Sequence, residues 1–194
     1  MVAWTRPATL ADLDGTPDDG RIYELLDGEI VVSPAPTPRH QDTLQALDRV
    51  VDRWVSEHDL RTVMLAPTDV VLDEKNALQP DLFFYTIENP LHEVNGRLHG
   101  APDLAVEVMS PSSRDRDAVI KARRCARAGV REFWLVGPSS RTILIFVLKG
   151  DSHDELSPSP DGSSPSDLLP GLRVDRADIF RQVDRAGALR RKRC

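Results

Sequence analysis

A chain of 194 residues is long enough for one ordinary domain with a real core. With 40% hydrophobic and 29% charged residues it has the composition of a soluble globular protein, which excludes a disordered or membrane class. The formal net charge of −6 argues mildly against nucleic acid, whose binders usually carry excess Lys and Arg on one face, yet seven basic residues against two acidic ones lie between Arg114 and Arg131.

The first 20 residues are polar and predict an N-terminal segment with at most one helical turn. Their opening, Met-Val-Ala-Trp-Thr-Arg-Pro, lacks the apolar run of a signal peptide, and no stretch is apolar enough to span a bilayer, so a cytoplasmic protein is expected. Ile22 to Leu26, Asp27-Gly28 and Glu29 to Val32 read as a β-hairpin about a type I′ turn. After Ser33-Pro34-Ala35-Pro36, a helix begins with Thr37 as N-cap and Pro38 at the first helical position. Leu44, Leu47, Val51, Trp54 and Val55 supply its apolar face as far as about Glu57. His40 falls in its first turn, either as a surface or capping residue or at the border of a site.

Arg61 to Asp73 is strand-like but interrupted by Pro67, which predicts a bent strand or two short ones. Leu82 to Tyr85 reads as a buried strand with Asp81 at its mouth, residues 88 to 101 as a loop, and Asp103 to Met109 as the central strand. A helix from about Arg114 to Ala128 follows, capped by Ser110 to Ser113 and stopped by Gly129. Glu132 to Val136 and Thr142 to Leu148 form the next strands, giving a strand-helix-strand crossover in a mixed sheet. Gly150 to Asp167 reads as a polar loop, 168 to 180 as a docking strand and helical turn, and 181 to 194 as a basic, frayed tail. The two cysteines, Cys125 and Cys194, cannot build a disulfide framework or a zinc site and are expected to be free thiols.

Alternation on the central strand puts Leu104, Val106 and Val108 on an apolar face and Asp103, Ala105, Glu107 and Met109 on the other. A lone carboxylate at Glu107 costs several kcal/mol unless it shifts its pKa or meets a cation, either a metal or an arginine or lysine. Asp81 and Glu107 on neighbouring strands suit a hard divalent ion, with oxygen ligands and positions left for water and phosphate. Lys121 is either the lysine of such a site or the partner of Asp117, four residues earlier.

The chain resembles the Uma-type family of restriction-endonuclease-like proteins within the PD-(D/E)XK nuclease superfamily, over roughly residues 21 to 180. The resemblance rests on an ordered set of motifs. These are Tyr23-Glu24-Leu25-Leu26-Asp27-Gly28-Glu29-Ile30, Ser33-Pro34-Ala35-Pro36 with His40, Gln79-Pro80-Asp81, Pro102 to Ser112 around Val106-Glu107-Val108, Lys121, Ala128 to Val136, and Leu169-Pro170-Gly171-Leu172. It implies an α/β fold, a restriction-endonuclease-like mixed sheet flanked by helices, with Asp81 and Glu107 as ligands of Mg²⁺ or Mn²⁺ and Lys121 assisting. His40, Asp103 and Glu24 are candidates to border the site, and Arg114, Arg116 and Arg124 to contact nucleic acid. The implied activity is metal-dependent DNA cleavage, with a homodimer as the expected assembly. Two departures stand out: Met109 occupies the position two residues after the acidic ligand where the superfamily places lysine, and Cys125 stands where family members often carry tyrosine. The alternatives are a catalytically silent module that binds nucleic acid or protein, and a two-carboxylate glycosidase, against which the 5% aromatic content speaks.

Overall fold

Asp27 and Gly28 adopt φ of 53° and 75°, the turn geometry that matches the twist of the strands it joins. Those strands are β1 (Ile22–Leu26) and β2 (Glu29–Ser33), antiparallel with Leu26 opposite Glu29. They belong to a computed structural model that describes residues 6–33, 35–61, 63–110 and 115–191. A Cβ on Gly28 would sit 2.8 Å from the Pro7 side chain, so the turn also seats the N-terminal segment. That segment holds one short helix, α1 (Leu10–Asp14).

Helix α2 (Pro38–Glu57) starts where the Thr37-Pro38 pair requires, and the Thr37 hydroxyl accepts from the His40 amide at 3.2 Å. The bent segment after it resolves into β3 (Met64–Leu65) and β4 (Val70–Asp73), followed by β5 (Asn76–Leu78) and β6 (Leu82–Phe84). Residues 88 to 101, expected as a loop, instead carry a second hairpin, β7 (His92–Val94) and β8 (Arg97–His99). Its turn is Asn95-Gly96 with φ of 52° and 77°, the same hairpin grammar as Asp27-Gly28. The central strand is β9 (Leu104–Val108), followed by α3 (Asp115–Ala128), β10 (Glu132–Gly137) and β11 (Thr142–Lys149). The serine caps expected before α3 lie mostly outside the described residues.

The strands form two six-stranded sheets, ordered β2-β1-β5-β4-β8-β7 and, with β12 (Ser152–Leu156), β12-β11-β10-β9-β6-β3. Both are mixed, because β4 pairs with β8 and β9 with β10 in parallel. A two-stranded sheet joins β13 (Ser163–Pro165) to β14 (Arg173–Asp175), and helix α4 (Arg176–Arg191) closes the chain. The polar loop expected at 150–167 thus supplies β12 and β13. The tail expected to fray is helical through Arg191, with Val183 in the core and Arg190 paired to Asp42 at 2.6 Å.

The central strand partitions its neighbours as its alternation demands. Leu104, Val106 and Val108 pack with Leu47, Val51 and Val55 of α2 and with Ile179 and Phe180 of α4. Ala105 faces the other way, toward Phe133 and Cys125 of α3. Glu107 shares that second face.

One carboxylate is wholly structural. Glu132 is fully buried and accepts from Trp134 Nε1 at 2.6 Å, Ser166 Oγ at 2.8 Å, and the amides of Asp167 and Leu168 at 2.8 and 2.9 Å, which ties the 150–167 segment to β10. Truncation orphans four donors, so Glu132→Ala is expected to cost about 3 kcal/mol or more in denaturant unfolding, and Glu132→Gln clearly less.

Candidate active site

The site forms where β6 meets β9. These strands run antiparallel with Leu82 opposite Val106, and extending the register by one residue sets Asp81 against Glu107. Asp81 ends its turn with its Oδ2 accepting the Val108 amide at 2.7 Å, so the carboxylate takes over a main-chain partner just beyond the last pair of strand residues. Among the described residues nothing engages its Oδ1. Both carboxylates line a cleft of about 1250 Å³ that also takes in Glu24, His40, Met109 and Lys121.

Lys121 reaches this cleft from α3. Its Nζ lies 3.2 Å from both oxygens of Glu107 and 2.8 Å from Glu24 Oε1. Glu24 and Glu107 thus clamp the lysine, while the side chain of Asp117, its other expected partner, lies outside the described residues. Glu24 is 1% exposed on β1, and the same Oε1 accepts the Gln79 amide at 2.9 Å. The hairpin and the Gln79-Pro80-Asp81 turn thus position the lysine together. Met109, where the superfamily pattern places lysine, lines the cleft without a charge.

His40 is buried, which favours the site-bordering reading over the surface one. Its Nε2 lies 3.2 Å from Asp81 Oδ2, and its Nδ1 is buried without a partner among the described residues. Asp103 is not brought to the cleft. It caps the other end of β9, accepting from the Thr86 amide at 2.8 Å and Asn89 Nδ2 at 3.1 Å, with Arg131 at 3.4 Å. Arg124 pairs with Asp27 across the hairpin turn, while Arg114 and the side chain of Arg116 lie outside the described residues. Sequence reasoning left the clamp by Glu24 unassigned. The only local hint was a carboxylate in the otherwise apolar Leu25-Leu26 end of a strand.

Glu24 and Glu107 flank the Lys121 ammonium, and Asp81 adds its charge beside Glu107. Burial pushes the Glu107 carboxyl well above the ordinary glutamate range; Lys121 opposes this, while the charges of Asp81 and Glu24 add to it. Burial works to lower the Lys121 ammonium, but Glu107 and Glu24 overcome it and hold the lysine charged. The buried Cys125 thiol is raised chiefly by burial, with Glu107 adding to it. The surplus of negative charge is what a divalent cation relieves. Among the described residues no three His, Cys, Asp or Glu side chains gather into a ready cage. A small hard cation needs only one or two carboxylates with water completing its shell, so Asp81 and Glu107 fit that requirement.

The raised Glu107 carboxyl has a consequence for stability. An acid whose pKa is higher in the folded than in the unfolded state binds more protons when folded, so its contribution to stability falls as pH rises from the unfolded value toward the folded one. Glu107→Gln is therefore expected to raise the unfolding midpoint of the metal-free protein by several degrees at pH 8, with no gain near pH 4. Thermal unfolding in chelator at the two pH values measures this.

The chain matches the Uma2 family, described as "Putative restriction endonuclease", over residues 8–177. No curated protein matches it. Among solved structures, a protein from Anabaena variabilis ATCC 29413 described as a putative nuclease belonging to DUF820 superposes with a TM-score of 0.76 at 20% identity, covering 91% of this chain and 99% of that one. At that identity the likeness establishes a shared fold. No helix among the described residues is long and apolar enough to cross a membrane.

Proposed function

Because the chain belongs to the Uma2 family, we propose that it is a metal-dependent nuclease that hydrolyses phosphodiester bonds of DNA, using Asp81 and Glu107 to hold Mg²⁺ or Mn²⁺ and Lys121 to assist. The observation that carries this reading is the opposition of Asp81 and Glu107 at the end of β6 and β9, with an Asp81 oxygen that no described residue engages and Lys121 against Glu107. When bound, the cation would polarise a phosphoryl oxygen and lower the pKa of a water ligand.

The residues divide the remaining work. The Val108 amide fixes Asp81, so the ligand oxygen is placed before substrate arrives. Glu24 fixes Lys121, whose ammonium can orient the attacking water or stabilise charge developing on the phosphate. The acidic cleft also makes binding of a polyanion dependent on the cation, because the lysine is already neutralised by its two glutamates. Cutting both strands calls for two copies of one site, so a homodimer on DNA is part of this reading.

One observation favours a catalytically silent binding module instead: Lys121 contacts both Glu107 oxygens, as a structural ion pair would. Titration calorimetry with Mn²⁺, followed by incubation with plasmid and single-stranded DNA, separates the two. Metal binding with metal-dependent cleavage is expected. Absence of both would leave the silent module.

A further inference from the structure

Asp81 offers its two oxygens unequally. Oδ2 accepts the Val108 amide at 2.7 Å and lies 3.2 Å from His40 Nε2, whereas Oδ1 meets no described group. The imidazole is not free to swing. Its backbone amide is tied to Thr37 Oγ1 at 3.2 Å, Pro38 starts the helix two residues earlier, and the ring is buried with the residue only 6% exposed. Its Nδ1 is enclosed without a partner, so among the described residues the contact with Asp81 is the one polar engagement of this ring. The first turn of α2 further favours a carboxylate beside it through the helix dipole.

We propose that His40 is a positioning residue that determines which cation the site accepts, by lying against Asp81 Oδ2 beside the Val108 amide, so that together they close this oxygen and leave a single one for the metal. This rests on Asp81 being a metal ligand, as proposed above. Ca²⁺ readily takes both oxygens of a carboxylate and tolerates seven or eight ligands, whereas Mg²⁺ and Mn²⁺ are satisfied by one oxygen each from few carboxylates. An Asp81 limited to one oxygen therefore denies Ca²⁺ the chelating contact while costing the smaller ions nothing. His40 also holds the ligand in place, and outer partners of this kind typically contribute 10- to 100-fold in metal affinity.

The test is titration calorimetry of the full chain with Mn²⁺ alone and with Ca²⁺ alone, on wild type, His40→Ala and His40→Gln, with thermal unfolding of each as the check on folding. His40→Ala is expected to weaken Mn²⁺ by roughly 10-fold or more while Ca²⁺ affinity holds or rises, so that the preference for Mn²⁺ collapses by at least about 10-fold. His40→Gln keeps a side-chain N–H near the position of Nε2 and is expected to retain most of the preference. Equal weakening of both ions in His40→Ala, or an unchanged preference, overturns the selectivity role and leaves the metal site standing. A wild type that binds neither ion overturns the metal reading itself, and the role of His40 with it.

Discussion

Asp81→Asn and Glu107→Gln are each expected to abolish detectable Mn²⁺ binding and to lower metal-dependent DNA cleavage by at least about 100-fold. Neither change should unfold the protein. Asp81→Asn keeps a side-chain carbonyl that can still accept the Val108 amide, and Glu107→Gln removes rather than adds charge where two carboxylates share one lysine. Loss of activity then reports loss of a ligand charge, since shape and hydrogen bonding are kept. Calorimetry on the folded variants, with plasmid cleavage run in parallel, reads both effects. If both variants bind Mn²⁺ and cleave like wild type, the two carboxylates are not the metal ligands.

What could be read from the sequence was what neighbours in the chain decide. Thr37-Pro38 fixed the start of α2, Asp27-Gly28 fixed the hairpin turn, and the alternation along Leu104 to Val108 separated the core face from the face bearing Glu107. Asn95-Gly96 carried the same signal as Asp27-Gly28. Its flanking residues are too polar to read as strands, because β7 is wholly exposed. The polar stretch 150–167 is ordered by a residue outside it, the buried Glu132, whose role no local pattern discloses.

The same division runs through the site. The motifs single out Asp81, Glu107 and Lys121, and in the structure all three line one cleft, with Lys121 against Glu107. Asp103 shares the Glu107 face of β9 yet stands at the strand's far end, where it closes the 86–89 turn. Periodicity assigns a face but not a distance along it. Glu24 and His40 acquire their partners only through strand and helix packing across 97 and 41 positions of chain respectively, to Lys121 and Asp81.

Lys121→Ala is expected to have the largest effect on the metal-free protein. It leaves Glu24, 1% exposed, and the half-buried Glu107 without their shared cation, and breaking a largely buried pair in this way costs about 3 to 5 kcal/mol. In a chain of this size that corresponds to a fall of roughly 6 to 20 °C in the unfolding midpoint. The sign with pH follows from Glu107, whose carboxyl is raised by burial: it is protonated in acid, where it no longer needs the lysine, so the deficit is smaller near pH 4 than at pH 8. Saturating Mn²⁺ is expected to recover part of it, because a cation that binds only the folded state stabilises by mass action.

Lys121→Ala and Glu107→Gln together distinguish the two readings of the cluster. In a purely structural ion pair, removing either partner destabilises. In a site that carries surplus negative charge for a cation, removing the base destabilises and removing an acid stabilises. Opposite signs for the two variants in chelator, measured by thermal unfolding at pH 8, are what two carboxylates on one ammonium with Asp81 adding its charge at Glu107 predict, and equal signs would mark the cluster as a structural pair.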